Sequence, residues 1–194
     1  MTDRLKKQLE FMLELDKMKN LYRQTYVLHE DRKENDAEHS WHLAVLAFLL
    51  AEYSNEEINV SHVMKMVLLH DVVEIDAGDT YCYDQEGYKS KAEREEKAAQ
   101  RIFGILPEDQ KEEFYALWRE FEDSKTPDAR FAAVLDRIQP LLLNYTKYGI
   151  SWKEHGIHKE QVLNRNKDYF SSSDELAEVI KGIIDDAAAK GWLK

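Results

Sequence analysis

The segment LLHDVVEIDAGD, residues 68–79, closes the apolar run VMKMVLLH (63–70) with a histidine and an aspartate side by side. Two other apolar stretches carry ionisable groups: His39 in AEHSWHLAV and Asp136 in FAAVLDRIQPLLL. Such groups are costly in a core unless they are paired or bind a metal. Alone, a buried histidine reads as a hydrogen-bonded core residue, and a buried aspartate as an ion-pair or cap partner. Together, His39, His70, Asp71 and Asp136 form a mixed nitrogen and oxygen donor set suited to a divalent transition ion. Neighbours on a helix point ~100° apart, so His70 and Asp71 can reach one ion only where the backbone turns at a helix end. That is where the sequence puts them. Glu74, four residues after His70, shares its face if the helix continues; by itself it reads as a solvated acid.

The elements that must position these residues are helical. Leu5, Leu9, Met12, Leu13 and Leu15 predict a first helix to about Asn20. Residues 21–35, LYRQTYVLHEDRKEN, lose that period and read as a long irregular connection, a kind of segment that is often functional. Asp36 is the expected N-cap of a central helix, AEHSWHLAVLAFLLAEY, apolar around most of its circumference. Asn59 or Ser61 starts the helix that ends at His70–Asp71, and a loop with Gly78 follows. KAEREEKAAQRIFGIL stops at Gly104 and Pro107, and a further helix starts with Pro107 in its first turn. Thr126 caps a helix through Asp136 that ends at Gly149, and two shorter helices lie near 158–169 and 173–190. Pro140, four residues after Asp136, cannot donate to the Asp136 carbonyl, so a bend that tilts the carboxylate toward the other three residues is expected there. No βαβ alternation occurs, and the fold class is all-α: one helical bundle over residues 1–194.

With 194 residues, 43% of them hydrophobic, the chain is long enough to bury one core, and no repeat or linker marks a second domain. A net charge of −11 excludes broad binding to nucleic acid polymers or anionic membranes, but not a small anion held by a few local arginines. The single cysteine, Cys82, fits a reducing compartment and has no companion residues that would make it a nucleophile. No stretch approaches the ~20 apolar residues of a membrane span, so a cytoplasmic protein is expected.

EHSWHLAVLAFLLA, MVLLHDVVEIDAGD, AEREEKAAQRIFGILPED and FAAVLDRIQPLL, in that order, resemble the HD-domain metal-dependent phosphohydrolases, and among them the 5′-deoxynucleotidases. The likeness covers about residues 20–150, leaving 151–194 as C-terminal helices. It implies an all-α HD domain holding one divalent cation (Mn, Co, Fe, Ni or Zn) through His39, His70, Asp71 and Asp136. It also implies Glu74 and Asp79 as catalytic residues, the first tied to activating water and the second to catalysis and sugar contact. Arg23 matches a phosphate-contacting arginine. The closest deoxynucleotidases follow that arginine directly with an aromatic that reads the sugar; here the run is R-Q-T-Y, which leaves Tyr26 for the role. The implied activity is removal of the 5′-phosphate from (deoxy)nucleoside monophosphates by metal-activated water, with a homodimer as the assembly. Alarmone hydrolases, cyclic-dinucleotide phosphodiesterases and di-iron oxygenases share the core pattern, but dinuclear members need extra histidines, and none occurs from Val72 to Leu135. A helical interaction domain stapled by a metal without turnover is the non-enzymatic alternative. Arg32, Lys33 and Arg137 read as surface or ion-pair residues, and Lys89, Lys91 and Arg94 as a solvated helix start. His42 reads as packing beside Trp41. The face formed by Tyr115, Trp118 and Phe121 is expected to need cover from a second subunit.

Overall fold

The computed structural model describes residues 1–194, the side chain of Gln85 excepted. Helix α1 (Asp3–Leu15) runs through a 3-10 turn (Asp16–Asn20) into β1 (Tyr22–Tyr26), which pairs antiparallel with β2 (Lys33–Asn35). The expectation of an irregular 21–35 connection is therefore corrected. Tyr22, Thr25 and Tyr26 favour extended backbone, and the pair holds register at Tyr22–Asn35 and Tyr26–Lys33 with an irregularity between.

Helix α2 (Asp36–Leu49) begins one residue earlier than expected. Asn35 is its N-cap: the side chain accepts from the Glu38 amide while the Glu38 carboxylate accepts from the Asn35 amide, a reciprocal box that satisfies two free donors. Asp36 is freed from capping and lies fully buried in the first turn. Helix α3 (Val60–Leu69), capped by Asn59, packs against α2 and stops at His70. The chain turns over residues 70–73 and makes one more short helix, α4 (Glu74–Ala77). Gly78 ends it with φ of 77°, a conformation that favours glycine, and the reversal presents Asp79.

Helix α5 (Gln85–Phe103) lies against α4 and α6 (Glu108–Asp123), and α6 packs against α3 and α7. Helix α7 (Pro127–Thr146), capped by Thr126, is buried along most of its length and touches α2, α3, α6 and the C-terminal α10 (Asp174–Ala189). It passes Pro140 without interruption. Two short helices, α8 (Ile150–His155) and α9 (Lys159–Asn166), complete the bundle between them. Leu43, Met66, Ile102, Phe131, Leu135 and Ile138 are in the core with almost no exposed surface. Trp118 and Phe121 join it, at 1% and 8% exposure, and Tyr115 packs against it, so this face is covered within one chain and needs no second subunit. Among the described residues, no helix is long and apolar enough to cross a membrane.

Candidate metal centre

Three helices bring their polar residues to one buried point. Ligand atoms of His39 (α2), His70 (the end of α3) and Asp136 (α7) lie within 4.8 Å of one another. His39 Nε2 is 3.1 Å from Asp136 Oδ1, and His70 Nε2 is 3.1 Å from Asp71 Oδ1 and 3.8 Å from Asp136 Oδ1. The other Asp71 oxygen, Oδ2, lies 3.8 Å from His39 Nε2 and accepts from Arg23 at 2.6 Å. All four side chains are buried, and Phe121 packs its ring 4.7 Å from that of His70.

The hydrogen bonds behind the imidazoles set their tautomers. Glu34 Oε1 accepts from Gln139 Nε2 at 2.7 Å, which fixes the orientation of the amide and turns Gln139 Oε1 toward His39 Nδ1, 3.0 Å away. His39 therefore donates from Nδ1. His70 does the same, from Nδ1 to the Val67 carbonyl at 2.9 Å. Both Nε2 atoms are left facing carboxylate oxygens, and His70 Nε2 is buried without a hydrogen-bond partner. Lone pair faces lone pair there unless a proton or a cation lies between, so the residues fit a divalent ion. Burial, with Arg23 assisting, lowers the pKa of His39. Burial also pulls His70 down, but Asp71 and Asp136 outweigh it and raise its pKa, so an ion competes with a proton for that nitrogen. Burial works against ionised Asp71 as well, yet His70 and Arg23 hold its carboxyl well below the usual range.

Beside this cluster, carboxylates of Asp36, Asp71 and Glu74 form a second buried group around Arg23, whose Nη1 is 3.4 Å from Asp36 Oδ1. Burial and the neighbouring Asp71 push Asp36 up to about 7, and burial with Asp71 and Asp36 raises Glu74 well above its ordinary value. Asp79 is raised too, mainly by burial. A cavity of about 260 Å³ opens from the cluster; Arg23, Glu74, Asp79 and Asp136 line it.

Tyr26 is not among the residues that line the cavity. It follows Arg23 by three positions on β1, beyond the lining residues Arg23, Gln24 and Thr25, and its hydroxyl donates to Glu154 Oε1 at 3.0 Å. The aromatic walls are Tyr81, Tyr83, Tyr88, Trp152 and Tyr169 instead. The tyrosine-rich run YCYDQEGY, directly after Asp79, was the signal for the first three. Arg137 also lines the cavity, donating to Asp136 Oδ2 at 3.0 Å, and Lys91 is not solvated but paired with Glu95 in the cavity wall. Arg32 pairs with Glu30 and Glu38 at the surface. His42 accepts from Gln139 Nε2 at 3.2 Å, with its ring 6.0 Å from that of Trp41.

The chain is similar to several known proteins. The human and bovine 5′-deoxynucleotidases HDDC2 are each 30% identical over 135 residues, 69% of this chain. The match spans 65% and 64% of those proteins' own lengths. A crystal structure described as a predicted metal-dependent phosphohydrolase from Magnetospirillum magnetotacticum MS-1 superposes with a TM-score of 0.93, at 47% identity over 99% of each chain. The HD-domain family model matches residues 15–177. With that model matched over most of the chain, the protein belongs to the HD-domain family.

Proposed function

We propose that the protein is a metal-dependent phosphohydrolase that removes the 5′-phosphate from nucleoside monophosphates, with deoxy forms preferred. The observation that carries this reading is the inward-facing set of His39, His70 and Asp136, opening onto a cavity that also holds Arg23, Glu74 and Asp79. His39, His70, Asp71 and Asp136 would hold one divalent cation, which when bound supplies Lewis acidity toward water and a phosphoryl oxygen. Glu74, buried and four residues after His70, takes the proton from the attacking water. Arg23, with one face on Asp71, offers fixed positive charge to the phosphate. Asp79 meets the sugar, and the cavity tyrosines rather than Tyr26 stack on the rest of the nucleoside. The relatives' name, 5′-deoxynucleotidase, supports the substrate class.

A phosphate-release screen tests this. Nucleoside 5′-monophosphates with and without a 2′-hydroxyl, offered with Mn, Co, Fe, Ni or Zn, should give release with at least one metal, faster for the deoxy series and abolished by a chelator. Metal binding that raises the melting temperature with no release from any nucleotide would leave the stapled interaction domain as the better reading.

The same proposal includes a homodimer. Trp41, Phe48 and Leu49 form a stripe along α2 with exposures of 65%, 57% and 58%. A monomer rarely leaves such a contiguous apolar face uncovered. Sedimentation at micromolar concentration should show twice 22.9 kDa, and Trp41→Glu should shift it to the monomer. A wild-type protein that sediments only as monomer refutes the assembly. The lone thiol of Cys82 supports a reducing, cytoplasmic setting.

A further inference from the structure

Four cationic side chains line the cavity, and three are already matched to protein carboxylates. Arg23 donates to Asp71 at 2.6 Å, Lys91 lies 2.7 Å from Glu95, and Arg137 donates to Asp136 at 3.0 Å. The fourth, Arg165, is not. Its one polar contact among the described residues is from Nη1 to the Tyr88 hydroxyl at 3.3 Å, which leaves Nε and Nη2 free on the same edge of the guanidinium. The side chain is only partly exposed, in a protein with 38 acidic residues available to pair with it. Cys82, also in the cavity wall, does not balance it, because burial pushes the thiol up and keeps it neutral.

The backbone under Arg165 is fixed. It sits in the last turn of α9, between buried Val162 and buried Asn166, and Asn166 Nδ2 donates to the Val162 carbonyl at 2.8 Å. The side chain lines the same cavity as Arg23 but comes from a different element, α9 rather than β1. A partly buried guanidinium with an open Nε–Nη2 edge is a fork that accepts two oxygens of one phosphate. No carboxylate among the described residues lies within ion-pair distance of it; Asp136 acts on it only from further away, so the fork stays open to such an anion.

We propose that Arg165 is a second phosphate-binding residue, closing on the substrate's phosphate from α9 while Arg23 holds it from β1. The inference rests on the phosphohydrolase reading for its substrate but not for its ligand, which is a phosphate dianion. Nucleoside monophosphates then enter with the phosphate held by two arginines from different elements of the cavity lining, and α9 becomes part of the site.

The test uses the manganese-loaded protein with inorganic phosphate and a deoxynucleoside as separate probes, each titrated by calorimetry, alongside steady-state kinetics. Arg165→Gln should weaken phosphate binding and raise KM by about 10–100-fold, the range for losing a charged hydrogen-bonded pair. It should leave kcat within about threefold and deoxynucleoside binding unchanged. Arg165→Lys, which keeps the charge without the fork, should fall between, and it separates loss of contact from loss of folding. Unchanged phosphate binding in Arg165→Gln overturns the proposal, and weakened deoxynucleoside binding in that variant would assign Arg165 to the base or sugar instead. Should the wild type bind phosphate in an Arg165-dependent way yet hydrolyse no nucleotide, the phosphate site stands and the nucleotidase reading falls.

Discussion

Glu74→Gln is expected to lower turnover by about 10²–10⁴-fold, the usual worth of a positioned proton acceptor, while metal content stays at the wild-type level. The two effects separate because the mutually close donor atoms of His39, His70 and Asp136 do not include Glu74; of the four proposed ligands, Asp71 alone is grouped with it. Gln keeps the shape and removes only the capacity to take a proton. Its neutral amide also suits the site. Glu74 is 5% exposed, its Oε2 has no partner among the described residues, and burial with the nearby Asp71 and Asp36 opposes its ionisation. A cation held by the neighbouring ligands would offset that cost and leave a carboxylate able to take the proton. The fold should therefore be no less stable. Metal analysis of the purified variant beside phosphate-release rates decides the matter. Loss of metal would make Glu74 a ligand, and near-normal rates would remove it from the chemistry altogether.

The second large effect concerns stability. Glu34 is 3% exposed and its carboxyl is pushed up to about 7, chiefly by burial, against the pull of Arg23. Between its ordinary value and 7 the folded protein holds a proton on Glu34 that the unfolded chain has released. Stability contributed by this group therefore falls as pH rises through that window, and the full penalty applies above 7. A shift of this size corresponds to at most about 3 kcal/mol. Glu34→Gln mimics the protonated form and still accepts from Gln139, so its stability should exceed wild type by up to that amount at pH 8 and match it near pH 4.5. Denaturant unfolding of chelator-treated protein at both pH values measures this. Asp36 and Glu74 titrate in both proteins and cancel in the difference. Parallel wild-type and variant curves would show that Glu34 ionises freely in the fold.

These residues show which features local sequence carries. Helix starts were legible where a small polar residue precedes an apolar period, as at Asn59 and Thr126. The His70–Asp71 pair announced itself because charge at the end of an apolar helix is unusual. Asp36 misled for the opposite reason. It has the right chemistry for an N-cap, but Asn35 and Glu38 form the reciprocal box, and Asp36 is drawn inward by Arg23. The strand pair was hidden because its five- and three-residue strands give too few positions to show an alternation. Tyr26 was assigned from the resemblance, as the aromatic that follows Arg23, but its hydroxyl is held by Glu154 of α8, a partner that local sequence does not reveal. Glu34 and Gln139 lie 105 positions apart, and nothing local distinguishes a buried glutamine from a surface one until the helices meet. Arg165 has the same difficulty: its distinction is a missing partner, which only the folded chain reveals.

The position of α7 also governs when the centre can come into being. His39 is 97 residues ahead of Asp136 and 100 ahead of Gln139. At translation rates of about 5–20 residues per second, the interval between the first and last of these groups is roughly 5–20 s. Until then His39 lacks the amide that sets its tautomer, and neither histidine has Asp136 facing its Nε2, although His70 can already donate to the Val67 carbonyl. Asp136 and the amide that orients His39 arrive together, one turn apart on the same helix. Metal capture is thus tied to the docking of a single late segment, and a nascent chain stalled before α7 offers passing cations only an unfinished, unselective site.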